Sequence, residues 1–155
     1  VDLAALPAHQ RIDMEQVYLR SKDKREVTRV RRRGQEGAYF HFLARTRHAG
    51  TRGLPVEEEE LIPEQEYLDL ARLMDPKTEV LARERICFLW NNQYYELDRY
   101  GGRHEGLTML LAESPGQESG ASTSIPPFVT VGKKVTDDLR YTDRTLARRK
   151  TKKPA

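Results

Sequence analysis

Arginine recurs at every second position in several stretches of this chain, and that spacing is where chemistry can begin. Residues 26–33 read E-V-T-R-V-R-R-R, so an extended backbone puts Arg29, Arg31 and Arg33 on one face. Arg83 and Arg85 repeat the spacing, as do Arg45 and Arg47. Guanidinium groups crowded on one face repel one another unless carboxylates or a bound anion lie between them. Their planar forks suit phosphate, to which they make paired, charge-assisted hydrogen bonds. The bland alternative is a solvated outer strand face. Recurrence on separate segments favours an inward basic face, and such a face needs a polyanionic guest.

Carboxylates accompany the arginines. The run Glu57, Glu58, Glu59 and Glu60 either extends the charged interior with acids or forms an exposed solubilising stretch. Glu96 and Asp98 share one face of their segment, and Glu113 follows on the next. These acids fit two roles: counter-ions to the arginines, or oxygen ligands for a divalent cation such as Mg2+, with phosphates completing the shell. His41 and His104 lack metal-ligand spacing. Cys87 sits in an apolar context without a catalytic partner nearby, as an inert core residue does. Neither G-x-x-x-x-G-K-[ST] nor G-x-G-x-x-G occurs, so no glycine-rich phosphate loop is present.

The elements that must hold these side chains follow from periodicity. Residues 83–113 alternate residue by residue and are rich in aromatic and branched types, which argues strand. Asn91-Asn92 suits a tight hairpin turn, and Gly101, Gly102 and Gly106 punctuate the next, so this stretch reads as a three-stranded meander. Strands are also expected at 12–20, 26–33, 38–47 and 56–62, with 34–37 as a hairpin connection and 48–55 as a loop. Pro63 opens a helix marked by Tyr67, Leu70, Ala71 and Met74. Residues 1–11 carry no firm pattern, 114–124 are of low complexity, and the C-terminal region is helical before a basic tail at 148–155. Trp90, Tyr94 and Tyr95 are expected to pack the outside of the sheet. The predicted class is α+β: one antiparallel domain over 1–155, a closed or nearly closed barrel with peripheral helices.

Composition sets limits. A chain of 155 residues suits one domain with one core. Lys plus Arg exceed Asp plus Glu by 27 to 24, and the resulting +3 is too mild for wholesale nucleic-acid binding. The single cysteine excludes an internal disulfide and suits a reducing, cytoplasmic compartment. No apolar run approaches the ~20 residues of a membrane span. The sequence begins with Val1, as expected of a fragment of a longer protein.

The ordered set of segments resembles the CYTH superfamily, the triphosphate tunnel metalloenzymes. The pieces are V-Y-L at 17–19, R-V-R at 29–31, A-Y-F-H-F-L-A-R at 38–45, Glu57 and Glu59, R-E-R at 83–85, Y-E-L-D at 95–98, G-L-T-M-L-L-A-E at 106–113 and K-V-T-D-D-L-R-Y-T-D-R-T-L-A at 134–147. The resemblance implies an eight-stranded antiparallel tunnel barrel lined by basic and acidic side chains. It also implies phosphate binding by Arg29, Arg31, Arg45, Arg83 and Arg85, with Lys133 and Lys134 near the mouth, and metal binding by Glu57, Glu59, Asp98 and Glu113. The wording R-I-C-F-L-W-N-N-Q-Y-Y-E-L-D-R-Y is similar to the C-terminal CYTH-like domain of the TRPL translocation defect family. That likeness implies a guanine nucleotide or phosphoinositide headgroup as ligand, an upstream P-loop domain, membrane trafficking and contact with the periphery of endomembranes.

The chain departs from the pattern at two places. The Glu-x-Glu-x-Lys strand expected before residue 16 is absent: Asp13 and Glu15 are followed by Val17, not Lys. The last acidic pair is broken, because Ser114 and Pro115 follow Glu113. The basic half of a phosphoanhydride-cleaving site is retained and much of the acidic half is missing, which favours phosphate binding over efficient metal-dependent hydrolysis.

Overall fold

The structure is a computed structural model that describes residues 1–48, 55–113 and 125–149. Its strands are β1 (His9–Tyr18), β2 (Glu26–Gln35), β3 (Ala38–Arg47), β4 (Val56–Ile62), β5 (Leu81–Trp90), β6 (Gln93–Tyr100) and β7 (Thr108–Glu113). They form one seven-stranded sheet in the order β4-β3-β2-β1-β5-β6-β7, and every neighbouring pair is antiparallel. The eight-stranded barrel expected from the sequence is thus, among the described residues, a sheet of seven strands with β4 and β7 as its edges.

The hairpins form where the turn chemistry permits. Asn91 and Asn92 both take left-handed backbone angles (φ 52° and 59°), and so do Glu36 and Gly37 (φ 51° and 81°). Two consecutive residues of that hand match the right-handed twist of the flanking strands. The strands at 38–47 and 56–62 have the expected limits, and the meander resolves into β5, β6 and β7. β1 differs: it starts at His9, inside a stretch without firm pattern, because both β2 and β5 supply backbone partners for it. A 3-10 turn, Leu3–Ala5, precedes it, and the Asp2 carboxylate caps that turn by accepting the Ala4 N–H.

Each face of the sheet has its own role. On one face Val17, Val30, Leu43 and Ile62 pack beneath α1 (Glu64–Ala71) and its Tyr67, while Ile86, Phe88, Tyr95 and Leu97 pack against Leu3, Leu6 and Phe128. His41 packs on Tyr67 with the rings tilted and their centroids 4.9 Å apart, and so belongs to this packing. Burial of these side chains supplies the apolar stabilisation, at about 25 cal/mol per Å² removed from water. Trp90 and Tyr95 lie on this packed face as expected, but Tyr94 does not. Register puts Tyr94 opposite Leu89 and on the other face, since adjacent strand residues point in opposite directions.

The opposite face carries Arg29, Arg31, Arg83 and Arg85 with their acids. The ion pairs of Glu15 with Arg32 and of Glu84 with Arg99 lie on the packed face, beyond its apolar clusters. Across one end of the opposite face lies α2 (Asp143–Ala147), whose Leu146 and Ala147 pack on Tyr18, Leu81 and Tyr100. Among the described residues, the helical C-terminal region is therefore this short helix plus a 3-10 turn at Leu139–Tyr141. Among the described residues no helix is long and apolar enough to cross a membrane. The segments 49–54 and 114–124, and the tail from 150 onward, lie outside the described residues.

Candidate anion-binding face

Register assembles the charged face. Tyr18 pairs with Arg29 and Gln16 with Arg31; Arg29 pairs in turn with Ala44, and Ala44 with Glu59, while Thr46 pairs with Glu57. On the other side of β1, Gln16 pairs with Leu81, Arg83 with Tyr100, Arg85 with Asp98 and Cys87 with Glu96. Directly opposed residues share a face. Arg29, Arg31, Arg83 and Arg85 therefore all share one face with Glu57, Glu59, Glu96 and Asp98.

The arginines fall into two groups with different compensation. Arg83 grips Asp143 with both terminal nitrogens, at 2.8 and 2.8 Å, and also reaches the Tyr100 hydroxyl at 3.0 Å and Asp98 at 3.5 Å. Arg85 donates to both oxygens of Asp98, at 2.8 and 3.0 Å, and to Glu96 at 2.6 Å. Burial alone would lower both guanidinium pKa values. The hydrogen bonds and charge of Asp143 and Asp98 outweigh it and raise them.

Arg29 and Arg31 are served less well. Arg29 is 9% exposed; it donates to Thr46 Oγ1 at 3.1 Å and to Glu57, but its Nε is buried with no hydrogen-bond partner. Arg31 Nε donates to Gln16 Oε1 at 2.7 Å, while its terminal nitrogens stand 3.4 Å from Glu59 and 3.8 Å from Glu57. Burial and the neighbouring Arg29 charge pull the Arg31 pKa down, and Glu59, Glu57 and Asp143 recover only part of the loss. Of the four arginines, this pair is the less fully compensated.

Of the residues expected at the site, Arg29, Arg31, Arg83 and Arg85 come together. Arg45 does not. It pairs with Thr28 and Glu58, one residue out of phase with Arg29, and so points to the packed face of the sheet, where its nearest acid is Glu26 at 3.9 Å. Arg47 lies beside it, 3.6 Å from the same Glu26. Arg33 shares the charged face but lies over the Phe42 ring, 4.7 Å from its centroid. Lys133 and Lys134 are exposed, and the charge of Lys133 acts on Asp138.

The glutamate run divides by strand alternation. Glu57 and Glu59 face the arginines, whereas Glu58 and Glu60 face the other way. Glu96 and Asp98 serve as counter-ions, Asp98 being only 1% exposed. Glu113 closes β7 opposite Tyr94. Glu57 and Glu59 are engaged on the β4 edge and Asp98 on β6. No three metal-ligating side chains converge among the described residues.

Two participants carry no local sequence signal. Asp143 meets Arg83 across 60 residues of chain, and only the folded sheet brings them together. Gln16 is 3% exposed and links the two groups of arginines: it accepts from Arg31, donates to the Tyr18 hydroxyl at 3.1 Å and reaches Asp143 at 3.5 Å. Its alternation with Tyr18 in β1 was the one available hint.

Two solved structures of the protein NE1496 share this architecture, with TM-scores of 0.69 and 0.66, over 91% of this chain and 88% of that one. The chain has a CYTH-like fold. Sequence identity to NE1496 is 22%; one of the two structures describes it as a hypothetical protein and the other as an inorganic triphosphatase. No family model matches the chain, and no curated protein does.

Proposed function

We propose that the charged face of this CYTH-like domain binds a phosphate-rich anion, with Arg29 and Arg31 as its first contacts. The observation that carries this reading is the under-compensated pair: an orphaned buried Nε on Arg29 beside an Arg31 whose pKa is pulled down. A phosphate oxygen placed between them would satisfy the free donor and relieve the repulsion. Arg83 and Arg85 extend the positive surface but hold carboxylates already, so a longer anion must compete for them. Calorimetric titration with phosphate, diphosphate and tripolyphosphate tests the idea. Affinity should rise with phosphate number and vanish in a folded R29A/R31A variant.

A second reading is metal-dependent hydrolysis of a triphosphate. Its support is the likeness to a fold described elsewhere as an inorganic triphosphatase, together with the carboxylates that share the arginine face. Phosphate release from tripolyphosphate or a nucleoside triphosphate, stimulated by Mg2+ or Mn2+, would favour it over simple binding. The narrower version of the binding reading rests on the TRPL resemblance alone. There the anion is a guanine nucleotide or a phosphoinositide headgroup, and the protein serves membrane trafficking beside a P-loop domain. GTP and inositol polyphosphates belong in the same titration for that reason.

A further inference from the structure

Asp143 differs from the other acids that neutralise this face. Glu57, Glu59, Glu96 and Asp98 are built into strands, whereas Asp143 is the first residue of α2, an element outside the sheet. Its two oxygens meet the two terminal nitrogens of Arg83 at 2.8 Å each, the fork geometry that a phosphate would use. Its charge also acts on Arg31 and Arg85, so it serves both groups of arginines. Arg83 does not depend on it entirely, because the Tyr100 hydroxyl at 3.0 Å and Asp98 at 3.5 Å stay with Arg83 if Asp143 leaves.

The element that carries Asp143 is short. A helix of five residues has no stability of its own and is held in place by what it packs against. Here that is Tyr18, Leu81 and Tyr100 under Leu146 and Ala147. Hydrogen bonds add to it: Glu79 N–H donates to the Ala147 carbonyl at 2.7 Å, Arg103 to the Leu146 carbonyl at 3.0 Å and to the Arg148 carbonyl, and Gln16 to Asp143 at 3.5 Å. His104 Nε2 lies 2.6 Å from the Leu146 carbonyl. The Glu79 bond and the Arg149 N–H to the Lys77 carbonyl, 2.8 Å, flank a single antiparallel bridge between Thr78 and Arg148, so lifting α2 opens that bridge but leaves the pairing of the seven strands intact.

Resting on the phosphate-binding reading above, we propose that Asp143 is an intrachain competitor: its carboxylate fills the phosphate position at Arg83, and an entering polyphosphate displaces it and frees α2. Binding and α2 release are then coupled in both directions. Weakening the Asp143 contact strengthens ligand binding, and ligand binding loosens α2.

The test titrates tripolyphosphate into the wild-type protein and Asp143→Asn, and follows amide exchange at Glu79 and Leu146 with and without it. Asn keeps the shape but loses the charge, so its affinity should be about tenfold higher, the scale of one charge-assisted contact. In the wild type, exchange at both amides should speed up on binding, a readout that needs no variant. Should Asp143→Asn fold poorly, Leu146→Ala loosens α2 without touching the charge and should tighten binding in the same direction. A folded Asp143→Asn with equal or weaker affinity, or exchange that slows on binding, overturns the competitor while leaving phosphate binding intact. Absence of saturable binding in both wild type and Asp143→Asn overturns both, and binding by Asp143→Asn alone supports the competitor.

Discussion

Arg45 and Arg29 stand on adjacent strands yet on opposite faces of the sheet, because Arg45 pairs with Thr28 and Arg29 with Ala44. One residue of phase separates a surface arginine from a site arginine. Arg45→Ala should therefore leave tripolyphosphate affinity within about twofold, as a surface change away from the site does, whereas Arg31→Ala should weaken it by roughly tenfold to a hundredfold. Calorimetric titration of both variants checks the pair. Equal losses would mean that the register does not separate these two side chains.

Asp98 is the most buried acid of the face and serves both Arg83 and Arg85. Removing one partner from a buried charge network strands the others, at about 3–5 kcal/mol. Asp98→Ala should lower stability by that order in a urea titration, and Asp98→Asn by less because it keeps one acceptor.

Burial would raise the Asp143 carboxyl, but the hydrogen bonds and charge of Arg83, with Arg31 and Arg85, hold it below the ordinary carboxylate range. A depressed folded pKa contributes stability above the unfolded value of about 3.9, and that contribution is lost as pH falls below it towards the folded value. Stability measured from pH 6 to pH 2 should fall more steeply in wild type than in Asp143→Asn. Matching slopes would show that the Arg83 contact contributes nothing to folding.

Tyr18 should reveal itself at alkaline pH. Burial and then the nearby Asp143 charge push its hydroxyl up to about 12, against the favourable pull of Arg29, Arg31 and Arg83. A raised folded pKa means stability that is complete below the unfolded value of about 10 and is lost as pH climbs towards the folded value. Tyr67, Tyr94, Tyr95 and Tyr100 are raised as well, so ultraviolet titration should show several late tyrosinates, one fewer in Tyr18→Phe. A normal titration of every tyrosine would contradict the buried position of Tyr18.

The strand at 38–47 was legible because it alternates, the one at 56–62 because apolar residues flank its four glutamates, and Asn91-Asn92 named the hairpin that opens 93–100. The charged face was legible in part. Alternation put Arg29 with Arg31 and Arg83 with Arg85, but it cannot say which face of one strand meets which face of the next. Arg45 was misplaced on that account. Tyr94 was misplaced because its neighbour Tyr95 does pack against Trp90 and Phe88, and adjacent aromatics were assigned a single role. Asp143 and Gln16 were not seen, since their partners are set by folding and not by spacing. The start of β1 at His9 was hidden for a similar reason: its partners β2 and β5, not its own pattern, make it a strand.

The most direct test is a titration of tripolyphosphate at low ionic strength into wild type and into R29A/R31A, with circular dichroism to show that both are folded. The account predicts saturable binding by wild type, weaker for diphosphate and weaker still for phosphate, and none by the double variant. Undiminished binding by a folded R29A/R31A protein would contradict it, and so would a wild-type protein that binds none of the three.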